Sequence, residues 1–152
     1  MIFRGAPGGM VAVETALILP VLLVLALGTI ETGNILHAWL TVHKAAQTGA
    51  RFASTGQGDD DGSRLALIEL QVGQVMDRLE GGAATVNVSS WAGNVASGEG
   101  AQDSAGPPCG LVEVEVVYDY HPITPLTGDL FPEVVVLAGS DRKIIEPYKP
   151  CE

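Results

Sequence analysis

The sequence predicts an α+β protein: a long N-terminal α-helix, transmembrane and then amphipathic, carrying a small head of one helix and an antiparallel β-sheet. Three observations carry this. From Thr15 to Ile30 the chain reads TALILPVLLVLALGTI with no charged side chain, and the run reaches back to Met10 if Glu14 alone is allowed. Apolar residues then recur three to four apart as far as about residue 54, and again from Leu65 to Leu79. Beyond residue 83 the apolar period changes to two. With 152 residues there is room for one domain, and an aromatic content of 5% leaves its core to Val, Leu, Ile and Ala.

Charge separates the two ends of the chain. Residues 1–30 hold only Arg4 and Glu14, whereas residues 31–152 hold 7 basic and 17 acidic side chains and so the whole net charge of −10. Phosphate-backbone binding draws on clustered Lys and Arg, so this balance argues against a nucleic-acid partner. Residues 10–30, at about 1.5 Å per residue, reach roughly 31 Å, one hydrocarbon core. Arg4 before the span and Glu31 after it place the N-terminus in the cytoplasm and the head outside. A plain membrane anchor, a cleaved secretory signal with small residues at Ala26 and Gly28, and a buried core helix compete for the segment, and a core helix rarely needs so long an apolar run. Neither an anchor nor a signal needs Glu14. A carboxylate within an apolar span either lies at the headgroups or has a partner.

The stretch Gly9-Met10-Val11-Ala12-Val13-Glu14-Thr15-Ala16-Leu17, followed by Pro20, resembles the type IV pilin signature, and specifically TadE-like pseudopilins of the tight-adherence (Tad/Flp) pilus. Gly28-Thr29-Ile30-Glu31-Thr32-Gly33 is similar to that family's G-x-x-E-x-G turn, and Ala45 to Ala53, AAQTGARFA, to its A-A-x-x-G-A-R-x-A stretch. Asn34 and Gln47 stand where the family often has arginine. The resemblance implies a leader at residues 1–9, cut by a prepilin peptidase between Gly9 and Met10, with Glu14 fifth in the processed chain. It implies a transmembrane helical half at 10–30, an amphipathic half at 31–54 and an α+β head at 55–152. It also implies a structural minor pilin or pseudopilin of the bacterial inner membrane, assembled with other pilin subunits by the Tad machinery, possessing no cofactor and no catalytic or metal site. The alternative is a membrane-anchored or secreted binding module with no pilus role.

Physics supplies a separate reason for Glu14. Cleavage after Gly9 would free an ammonium on Met10, one helical turn from the carboxylate. In a packed filament each charge can pair with a neighbour's opposite charge, which offsets desolvation and sets axial register. Pro20, lacking an amide proton, should kink or locally melt the helix near Ala16.

Past Glu31, Ile35, Trp39, Val42, Ala46, Ala50 and Ala53 form the apolar stripe, with His37, Thr41, Lys44, Gln47 and Arg51 off it. Ala45, Ala46, Gly49, Ala50 and Ala53 permit close backbone approach, either of this chain's own head or of another subunit. TGQGDDDG at 55–62 reads as an exposed turn; its three aspartates lack the alternating spacing and closing glutamate of an EF-hand. Ser63 is placed to cap a second helix bearing Leu65, Ile68, Val72, Val75 and Leu79, ended by Gly81-Gly82. Residues 84–91 alternate weakly. Residues 111–120 alternate cleanly, with Val112, Val114, Val116, Tyr118 and Tyr120 on one face and Glu113, Glu115 and Asp119 on the other. Residues 133–139, EVVVLAG, read as a more central strand and 140–147 as a return to the surface, while the Gly/Ser/Pro-rich tract 92–110 reads as an excursion. A Pro125-Leu126 pair between the late strands also follows the TadE-like pattern.

Cys109 and Cys151 are the only cysteines. An exported pair is expected to form a disulfide, tying the C-terminal tail to the start of the main strand. His37, His43 and His121 are scattered, and no phosphate loop, G-x-S-x-G or H-E-x-x-H is present. Glu113 and Glu115 share a strand face, but no apolar wall is visible that would split their pKa values for acid-base work.

Overall fold

A computed structural model describes residues 8–123 and 132–151. Most of the expected leader, and the Pro125-Leu126 pair, lie outside the described residues. Helix α1 runs unbroken over Gly8–Ser54, followed by α2 at Arg64–Met76 and strands β1 at Ala83–Trp91, β2 at Ala101–Gln102, β3 at Leu111–Tyr120 and β4 at Val135–Ile144. The strands form one antiparallel sheet in the order β2-β1-β3-β4. The second half of α1 packs on one face of this sheet, with α2 beside it.

The β3 alternation accounts for that layering. Val112, Val114, Val116, Tyr118 and Tyr120 are all buried, and they meet Ala38, Val42, Ala45, Ala46, Ala50 and Ala53 of α1 and Ile68, Val72 and Met76 of α2. Burial of this kind contributes about 25 cal/mol per Å² of apolar surface. The opposite face carries polar pairs, Glu113 with Arg142 at 2.9 Å and Glu115 accepting from Asn87 at 3.1 Å. The α1 stripe is shifted from the expected one. Trp39 is exposed, whereas Ala38 and Thr41 are buried, because the sheet lies against the small side chains and the indole is turned outward.

Three expectations are corrected. The Val-rich run at 133–139 is not central: it enters β4, an edge strand that continues through Asp141 and Arg142 to Ile144. β3 takes the centre by pairing with both β1 and β4, which leaves Val136 exposed while Leu137 turns inward. The second helix stops at Met76 with Asp77 as its C-cap, so Leu79 packs on the core from the following turn. Gly81 and Gly82 serve the entry to β1 instead. Gly81 has φ +84°, and a side chain at Gly82 would collide with the Tyr118 ring. Ser63 does occupy the N-cap position of α2, but its hydroxyl donates to Asp61 at 2.6 Å and caps nothing. The excursion at 92–110 holds β2, two residues added to the outer edge of β1.

Candidate assembly site on the N-terminal helix

From Met10 to Leu25 every large apolar side chain of α1 is exposed, Met10 at 81% and Leu17 at 70%, and no part of the head covers them. An apolar surface of this extent requires lipid or other protein around it. It is the one helix among the described residues that is long and apolar enough to cross a membrane. Its backbone polar groups are satisfied internally, and the hydroxyls of Thr29 and Thr32 donate to the carbonyls of Leu25 and Gly28, each at 2.8 Å. The helix stays helical through Pro20, without local melting. Glu14 lies exposed among these apolar residues, one turn from Met10. At Gly9 an added Cβ would meet nothing, so packing within this chain does not require glycine there.

Where the apolar half meets the head, Glu31 is fully buried. The Tyr120 hydroxyl donates to its Oε1 at 2.6 Å, and the Ile123 amide donates to the same oxygen at 3.3 Å. Burial, reinforced by the Glu31 carboxylate, pushes the Tyr120 phenol well above the ordinary tyrosine range. Glu31 thus joins the foot of α1 to the end of the central strand. Sequence reasoning saw Glu31 as a flanking charge and as part of a motif, and missed this contact. The available signal was its position, four and seven residues before Ile35 and Ala38 on the core-facing side.

The small-residue stripe belongs to this chain's own head. Ala45, Ala46, Ala50 and Ala53 are fully buried, and a Cβ on Gly49 would stand 2.6 Å from Val72 Cγ2 and 3.0 Å from Val114 Cγ1. Glycine here lets helix, helix and sheet meet at one point. Gly139 of β4 performs the same service against the His43 backbone, where a Cβ would be 3.1 Å from Cα.

Residues 9–51 match the family model of TadE-like proteins. The likeness is confined to the N-terminal helix. The match embraces Gly9, Met10, Glu14, Pro20, Glu31 and Gly49 and leaves most of the head outside it. No match was found among curated proteins or among solved structures.

The head closes the upper end of this helix. A helix leaves its last carbonyls without intrahelical donors, and here each has one. Ser54 Oγ donates to Arg51 O, the Thr55 amide and hydroxyl to Phe52 O, Arg64 Nη2 to Ala53 O at 2.6 Å, and the Glu146 amide to Ser54 O at 2.8 Å. Arg64 is buried and also donates to Gly106 O and the Tyr148 hydroxyl. It too escaped the sequence reading. Its clue was a cation at the first position of a helix, where the macrodipole disfavours one. Cys109 and Cys151 are disulfide-bonded, 5.7 Å apart at Cα, and hold the tail that carries Tyr148.

The other residues considered for chemistry are engaged structurally. Asp59 pairs with Lys149 at 2.7 Å, which holds its carboxyl below the usual carboxylate range, and Asp61 is lowered by hydrogen bonds from Ser63. Among the described residues no three His, Cys, Asp or Glu side chains are grouped to hold a metal ion. His37, His43 and His121 are not gathered into one site, and His43 Nδ1 lies 3.0 Å from the Trp39 carbonyl of its own helix.

Proposed function

We propose that this chain is a minor pilin or pseudopilin of a Tad (Flp) pilus, packed through its N-terminal helix. The carrying observation is the exposed apolar half of a TadE-like helix with a single acid, Glu14, one turn from Met10. In this reading a prepilin peptidase cuts between Gly9 and Met10, the helix holds the protein in the inner membrane with the head outside, and the Tad machinery moves it among other pilin subunits. The Met10 ammonium and the Glu14 carboxylate of neighbouring copies then pair in an apolar surround. A lone charge there is costly, so the pairing selects one axial register. The disulfide supports an exported head. The role is structural, with the TadE-like helix as its working part.

The test is the N-terminal residue and intact mass of the protein recovered from host membranes and from sheared surface filaments. A start at Met10 supports the reading. A start at Thr29, a secreted head, or an uncut Met1, a plain anchor, refutes it and favours a binding module. Glu14→Ala should leave membrane insertion and head folding intact and lower incorporation. Normal pili containing that variant would remove Glu14 from the mechanism.

A further inference from the structure

The chain has 8 basic residues against 18 acidic ones, yet three cations converge on one groove. Lys44 and Arg51 on the outer side of α1 and Lys143 on the edge strand β4 line a hollow of about 460 Å³, and among the described residues Asp141 is the one acid on its wall. Lys143 reaches Asp141 at 3.5 Å, while among the described residues neither Lys44 nor Arg51 has an ion-pair partner. The groove therefore keeps an uncompensated positive charge on an otherwise acidic head.

The groove lies far from the apolar half. From Glu31 to Lys44 the helix climbs about 20 Å, too far for lipid headgroups to reach it. The same chain carries a complementary surface. The loop after α1 holds Asp59, Asp60 and Asp61; Lys149 bridges Asp59 and Asp60 and Arg64 reaches Asp59, while the Asp60 side chain stays 93% exposed. This loop lies beside the end of α1, since Asp59 is 3.5 Å from the Arg64 guanidinium that caps Ala53.

We infer that the Lys44/Arg51/Lys143 groove receives the Asp59–Asp61 loop of a second copy of this chain. The inference rests on the pilin reading and adds the head contact to it. Ser54 stands about 5 Å above Arg51 and about 15 Å above Lys44, so a parallel neighbour set lower by such a distance brings its loop level with the groove. Pairing Glu14 of that lower neighbour with the Met10 amine of the upper copy requires a displacement of about 6 Å in the same direction. One stagger therefore satisfies the charges at both ends of the helix. Groove and loop are different surfaces, so the contact is head-to-tail and propagates along an open filament.

The test is zero-length carbodiimide cross-linking of the full-length protein in host membranes and sheared filaments, from cells carrying light- and heavy-nitrogen copies. Mixed-label peptides joining Lys44 or Lys143 to Asp60 or Asp61 are expected. Arg51→Glu, which keeps both reporting lysines, should lower their yield about tenfold, and adding Asp60→Lys should restore it through Asp61. Mixed-label links elsewhere, with none at this pair, overturn the contact and leave the pilin reading standing. Absence of every mixed-label link overturns both.

Discussion

The Tyr120 hydroxyl donates a 2.6 Å hydrogen bond to the carboxylate of Glu31, a residue with no solvent exposure at the foot of the head. Removing the donor leaves a buried acceptor with fewer partners, a loss of about 1–3 kcal/mol. Tyr120→Phe should therefore lower head stability by that amount in urea unfolding of the full chain in detergent, with native far-UV circular dichroism retained. An unchanged midpoint would show that Glu31 does not depend on this bond.

Alkaline pH should also destabilise the head. All three tyrosines have raised pKa values, chiefly through burial. A raised value means that the folded state holds the proton more tightly than the unfolded state. The resulting stability is fully present below the ordinary tyrosine value of about 10 and is lost as pH rises toward the folded values. Phenolate absorbance should then appear together with loss of near-ultraviolet ellipticity. Tyrosines that ionise near pH ~10 in a still-folded head would contradict the burial argument.

Gly49→Val should be severe. Its Cβ alone would come within 2.6 Å of Val72, itself fully buried and stiff, so α1 or α2 must move. Overpacking of this kind costs about 1–3 kcal/mol, and thermal unfolding should fall accordingly. Gly73→Val, on a helix position where a Cβ meets nothing, is the control and should change stability far less.

Cys109→Ser with Cys151→Ser removes a cross-link between residues 42 apart, worth about 3–4 kcal/mol on the chain-entropy account. Tyr148 should then leave Arg64, and limited proteolysis should begin in the tail after Ile145. A tail that stays protected in the double variant would show that Arg64 and Tyr148 suffice without the bond.

The long helix, the inward face of β3 and the cysteine pair were legible because each follows from a simple pattern: an uncharged run, a period of two, and only two thiols in the chain. Position within the sheet was not. The Val run of β4 has the composition of a central strand, and only its pairing with β3 makes it an edge. The Glu31–Tyr120 contact spans 89 residues, and no local rule brings those two together. Arg64 was hidden for a similar reason, since its acceptors come from α1, the 92–110 tract and the tail.

The closing of the upper end of α1 has a mechanical consequence. Glu31, Gly49 and Ala53 attach the helix to the head over about 33 Å of its length. A pull along the helix axis, as when a subunit is drawn from its surroundings, loads these attachments in shear and together. Tension is shared instead of passing from one joint to the next, so the head should move with its helix as a single strut.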